Sequence, residues 1–102
     1  MTRRQLPSRR DADVFDFEHA GIAYRAHVGR FDDGSPAELF LDGGKIGSAA
    51  AIGAHDGAVL ASLALQSGLT VDRLLHSMQQ LRDGSPAGPV AKALSLAAAG
   101  AR

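Results

Sequence analysis

From Val14 onward side chains of opposite character alternate: Phe15, Phe17 and His19 fall on one parity, Asp16 and Glu18 on the other. That period of two predicts a strand with one buried face. Ala20-Gly21 reads as a tight turn, after which Ile22, Tyr24, Ala26 and Val28 share one face of a second strand while Ala23, Arg25 and His27 share the other. The two strands are expected to pair antiparallel, with Phe31 extending the second. Asp32-Asp33-Gly34-Ser35-Pro36 is a strong turn signal, because Asp-Gly tolerates the positive φ that short loops require. A third strand is predicted over residues 37–42, with Leu39 and Leu41 on one side and Glu38 and Phe40 on the other.

Three glycines in Asp42-Gly43-Gly44-Lys45-Ile46-Gly47-Ser48 end this pattern, and the period then becomes helical. Ser48 is a candidate N-cap. Gly53 and Gly57 weaken the early turns, so the well-formed helix is expected over residues 56–67, with Val59, Leu60, Leu63 and Ala64 inward and Gly68 as its stop. Thr70 caps a second helix in which Val71, Leu74, Leu75 and Met78 form an inward stripe. Arg73, Gln79, Gln80 and Arg82 would then make its polar face, ending before Asp83-Gly84-Ser85-Pro86. Pro89 suits the first turn of a third helix that carries Val90, Leu94 and Ala97. Strands first and helices after predict an α+β fold: a three-stranded antiparallel meander followed by three helices packed on one face of the sheet. Tyr24 and Phe40 are expected on the opposite face, a surface suited to a second subunit.

At 102 residues the chain fits one domain, with a polar tail over residues 1–12 and a single unit over residues 13–99. Aromatic residues are only 5% of the chain, so the core must come from Leu, Val, Ile and Ala with a few Phe. Small side chains bury little area each, which points to a homodimer or a partner protein as added support. Formal net charge is zero, so no global field draws the chain to nucleic acid or to a membrane. Arg3, Arg4, Arg9 and Arg10 could neutralise phosphates, but no aromatic residue lies among them to stack on bases; a solvated tail is the plainer account. No apolar stretch succeeds the N-terminal charges and none is long enough to span a bilayer, so a cytoplasmic protein is expected. The absence of cysteine removes thiolate nucleophiles, disulfides and Cys-based metal sites.

The stretches Gly44-Lys45-Ile46-Gly47-Ser48, Ser62-Leu63-Ala64-Leu65-Gln66-Ser67-Gly68-Leu69 and Val71-Asp72-Arg73-Leu74-Leu75 leading to Gln80-Leu81-Arg82 resemble, in order and spacing, the TSCPD domain. That family is known chiefly from the C-terminus of vitamin B12-dependent ribonucleotide reductases and from short stand-alone proteins. The resemblance runs over about residues 12–99 and is closest over residues 43–94. The name-giving motif Thr-Ser-Cys-Pro-Asp is here Gly84-Ser85-Pro86-Ala87-Gly88, although Ala91-Lys92-Ala93-Leu94 is similar to the family's Ala-Lys-Ala-Leu beyond the motif. Ala49 stands where the reductase versions tend to carry a second cysteine. The resemblance therefore implies the fold without the reductase chemistry, which needs thiols.

The glycine loop is the best candidate ligand site. Gly44 and Gly47 expose backbone N–H groups, Lys45 adds charge and Ser48 a hydroxyl ahead of a helix N-terminus. The alternative is a strand-to-helix turn with an N-cap. His19, His27, His55 and His76 show neither HxH nor HxxxH spacing, so no metal site is expected; His76 lies one helical turn from Asp72 and is expected to pair with it. No serine has the Gly-x-Ser-x-Gly context of a nucleophile. Taken together these features describe a non-catalytic TSCPD-like binding or protein-interaction module with no cofactor, binding a nucleotide or phosphate at the loop. The enzyme-class alternative is an accessory fragment acting in trans with a ribonucleotide reductase.

Overall fold

The computed structural model describes residues 12–101, so the tail expected over residues 1–12 lies, but for its last residue, outside the described residues. Three strands, β1 (Ala12–His19), β2 (Ile22–Arg30) and β3 (Pro36–Gly43), precede three helices, α1 (Ala49–Gln66), α2 (Val71–Ser77) and α3 (Pro89–Ala98). The sheet order is β1-β2-β3, antiparallel throughout. Ala20 and Gly21, with φ of 52° and 80°, make the two-residue turn between β1 and β2, and the positive φ at both positions matches the twist of the flanking strands.

Register obeys the alternation. Phe15 pairs with Ala26, Phe17 with Tyr24 and Leu39 with Val28, and this side faces the helices. Leu39, Leu41, Leu94 and Val28 are the largest side chains fully removed from solvent. Val14, His27 and Phe40 form a row across the other side, beside Asp16, Arg25 and Asp42. There the Arg25 guanidinium binds Asp16 at 2.8 Å and 3.1 Å, and that hydrogen bond holds the Asp16 carboxyl below its ordinary pKa. Phe40 is half exposed on this outer face as expected, but Tyr24 is only 4% exposed. Tyr24 shares parity with Ala26 and Val28, so its ring turns into the core and stacks on Phe17 with centroids 5.5 Å apart.

Helix α1 departs most from expectation. It begins at Ala49, directly after its Ser48 cap, but is regular through the early turns that Gly53 and Gly57 were expected to weaken, and its buried residues are Ala54, Ala58, Ala61, Ser62, Leu65 and Gln66. Val59, Leu60 and Leu63, expected inward, are exposed. The cause is how closely α1 runs along β3. Ser62 Oγ accepts from Leu39 N at 2.8 Å and lies 3.0 Å from Leu39 O, while Gln66 Nε2 donates to Ala37 O at 3.4 Å. Leu39 thus turns both backbone groups away from β2, and α1 covers the edge that β3 would otherwise leave open. Up to Ser62 the buried positions of α1 are all alanine-sized, and Val59, Leu60 and Leu63 point out; larger residues turn inward only at the helix end, at Leu65 and Gln66.

Gly53 and Gly57 do not break the helix. A Cβ at Gly57 would stand 2.9 Å from Val90 Cγ2, which marks a close approach of α1 to α3. At Gly53 nothing lies within 4 Å of that position. Gly53→Ala is therefore expected to raise stability by about 0.5–1 kcal/mol through backbone entropy alone, read as a higher urea midpoint. The helix ends as predicted: Gly68 takes φ 103°, Gly68 N donates to Leu65 O and Leu69 N to Ala64 O.

Helix α2 is shorter than its apolar stripe suggested and packs chiefly on α3. It stops at Ser77, so Gln79, Gln80 and Arg82 do not form a helical face with Arg73. Gln80 instead pairs with Pro86 in an isolated bridge, closing a loop with the same hydrogen bonds as the turn after β2. In one, Phe31 N donates to Ser35 O and Gly34 N to Phe31 O; in the other, Leu81 N donates to Ser85 O and Gly84 N to Leu81 O. Each is fixed by an aspartate, Asp33 or Asp83, accepting from the backbone N–H and hydroxyl of the serine two residues on. The repeated Asp-Gly-Ser-Pro thus encodes one loop twice, and the second copy outcompetes another turn of helix.

Candidate functional site

In the loop after β3, Gly44 and Gly47 take φ of 76° and 80°, a conformation that favours glycine. Ser48 Oγ accepts from Ala51 N at 3.1 Å and so caps α1, while Ser48 N donates to Lys45 O at 2.9 Å. Gly44 and Gly47 line a hollow of about 390 Å³ with Asp42, Ile46, His55 and Asp56; Lys45 and Ser48 are not in its wall. Of the four residues predicted for the loop site, two therefore share one hollow, Lys45 is exposed beside it, and the Ser48 hydroxyl is occupied as a cap.

The histidines are dispersed. His19 Nε2 lies 3.0 Å from Ala87 O and ties β1 to the loop before α3. His55 Nδ1 lies 3.1 Å from Asp56 Oδ1 on the surface, and His27 sits on the outer sheet face. Asp72 and His76 do not pair among the described residues; Asp72 is in the first turn of α2, the end its charge favours, and His76 is in the last. No group of three His, Asp or Glu among the described residues is placed to hold a metal.

A larger hollow, about 490 Å³, lies against the opposite flank of α1. Ala49, Ala50, Gly53 and Ala54 form one wall, the first turn of α3 (Pro89, Val90, Ala91) another, and Tyr24 contributes from β2. Met78 and Gln79 come from the end of α2. The first residues of two helices, Tyr24 and Gln79 thus border one space. Helix α3 differs from its neighbours at this end. Ser48 and Thr70 cap α1 and α2 through their side chains, whereas Gly88 at the N-cap of α3 has none to offer. Sequence pattern places Pro89 at the helix start but gives no weight to the glycine before it, the one sign that these donors lack a side-chain cap.

The architecture is that of a small α+β module in which helices cover one face and one edge of a three-stranded meander, with a hollow on each flank of the first turns of α1. The TSCPD domain model matches residues 7–102, and the chain belongs to that family; it is a ribonucleotide-reductase-related module. No curated protein and no solved structure matches it. The family motif gains a structural meaning here. The position of its aspartate is Gly88, the N-cap of α3, where a carboxylate would accept from the helix's first N–H groups. Of the two positions where the resemblance implies cysteine, Ala49 lines the larger hollow and Pro86 sits in the bridge to Gln80.

No helix among the described residues is long and apolar enough to cross a membrane.

Proposed function

We propose that this chain is a non-catalytic interaction module of the TSCPD family and that the outer face of α1 is its contact surface. The observation that carries this reading is the exposure of Ile52, Val59, Leu60 and Leu63, at 53%, 38%, 67% and 49%. Ile52, Val59 and Leu63 align along the helix with Leu60 beside them, and apolar side chains grouped on a surface mark association sites. Asp56 alone interrupts the stripe with charge, and it pairs with His55. The occupant is a second copy of this chain or a partner protein.

Equilibrium sedimentation tests it. The wild type is expected above the 10.6 kDa of one chain, and Leu60→Asp with Leu63→Asp is expected to return it to that mass while it stays folded and melts cooperatively. A wild type that stays monomeric and binds no other protein through this face would sink the proposal.

Family membership supports a second reading, an accessory role in trans beside a ribonucleotide reductase, which co-sedimentation with a purified reductase chain would test. A nucleotide or phosphate at the loop of Gly44, Lys45, Gly47 and Ser48 is supported by the positive φ of the two glycines and the exposed lysine. Against it stand Asp42 and Asp56 in the same hollow, whose charge repels an anion.

A further inference from the structure

Helix α3 begins with an electrostatic deficit. Val90 and Ala91, at its second and third positions, are 8% and 3% exposed, and their N–H groups have no hydrogen-bond partner among the described residues. Buried helix starts are normally satisfied by a cap, by water or by a ligand. Here the cap position is Gly88, and beyond it lies the hollow of about 490 Å³.

A second observation, independent of the helix, points into the same space. Tyr24 is 4% exposed and lines this hollow. Its ring is fixed by Phe17 on one side and by the close backbone at Gly43 on another. Its hydroxyl has no hydrogen-bond partner among the described residues. Yet no side-chain oxygen or nitrogen among them is both sealed from solvent and unpaired. The hydroxyl therefore reaches open space, and the space that Tyr24 lines is this hollow.

From this convergence we infer that the hollow between α1 and α3 binds a small organic anion, its charged head on the Val90 and Ala91 N–H groups and the Tyr24 hydroxyl. The first turn of α1, at Ala49 and Ala50, adds a second positive dipole end. Among the described residues no Asp or Glu lines the space, in contrast to the hollow at the glycine loop. Around the donors the wall is largely apolar, formed by Ala, Val and Met side chains. That selects a head bearing a compact hydrocarbon or aromatic body over a bare ion or a sugar-rich nucleotide, and the volume lies in the range of small-molecule sites. The head is an oxyanion, phosphate or carboxylate.

The test tracks backbone amides by NMR while the full chain is titrated with phenyl phosphate, benzoate or phenol. Phenyl phosphate or benzoate is expected to shift Val90 and Ala91, and whichever binds tighter identifies the head. Tyr24→Phe is expected to weaken binding about tenfold, the loss of one hydrogen bond to a charged group. Gly53→Leu, placed where an added Cβ meets nothing within 4 Å, fills the hollow and abolishes binding. Gly88→Asp, also at an open position, supplies an internal carboxylate and likewise abolishes it, while melting at or above the wild-type temperature. Silent Val90 and Ala91 amides with both anions, phenol binding as tightly as phenyl phosphate, or shifts confined to Gly44 and Gly47 would each overturn the assignment. The last of these would transfer the anion to the glycine loop.

Discussion

Ser62→Ala is expected to lower stability by about 2 kcal/mol, the cost of leaving a buried donor unsatisfied, and so to lower the melting temperature by roughly 10 °C. The change removes one oxygen and no packing volume of consequence. That oxygen, however, accepts from Leu39 N at 2.8 Å, and it lies 3.0 Å from Leu39 O and 2.9 Å from Ala58 O. Ala58 O retains its place in the helix. Leu39 N does not recover a partner, because Leu39 is 1% exposed and α1 lies across the edge where water would otherwise reach it. Leu60→Ala, on the opposite side of the same helix and on a side chain 67% exposed, is the control and, at protein concentrations low enough to keep the chain monomeric, should alter stability by less than about 0.5 kcal/mol. Equal effects of the two substitutions in urea denaturation would show that α1 is not held to β3 through Ser62. A further consequence concerns association: loosening α1 frees the β3 edge, and an open edge is a template for strand pairing.

The contrast between Ser62 and Leu60 also shows which parts of the fold could be read from sequence. Strand alternation, the Ala20-Gly21 turn, the caps at Ser48 and Thr70, the stop at Gly68 and the helix start at Pro89 are local devices, and each is present where its residues predicted it. The inward face of α1 is not local. Hydrophobicity assigned it to Val59, Leu60 and Leu63, whereas the separation from β3 selects Ala54, Ala58 and Ala61 and admits Ser62 because Leu39 needs a partner. In sequence, a buried serine that satisfies a strand edge is indistinguishable from an exposed one. Helix α2 fails for a different reason: its apolar spacing continues to Met78, but the Asp83 turn and the Gln80–Pro86 bridge take over the chain. For the candidate sites, the glycine loop is visible as a pattern, while the hollow at α3 depends on bringing residue 24 beside residues 49–54 and 88–91. No sequence window contains that juxtaposition.

Gly43→Ala should be as damaging as Ser62→Ala, and through a different cause. A Cβ at Gly43 would collide with Tyr24 Cδ1 and stand 2.6 Å from Ala23 O. The ring can swing aside, but the carbonyl belongs to the neighbouring strand and moves only with the ladder that pairs Tyr24 with Gly43. Overpacking of this kind costs about 1–3 kcal/mol, and the backbone contact puts Gly43→Ala at the upper end. The same methyl group at Gly53 is expected to stabilise, so the sign of a glycine-to-alanine change in this chain is set by what the new atom meets rather than by helix or strand preference. Because Gly43 seats the Tyr24 ring, its substitution also displaces the hydroxyl from the hollow between α1 and α3. Urea denaturation of Gly43→Ala measures the first effect and phenyl phosphate titration of the remaining folded protein the second. A variant as stable as the wild type would mean that Tyr24 does not lie on Gly43. A destabilised variant with unchanged affinity would separate the ring's packing from the anion's contact.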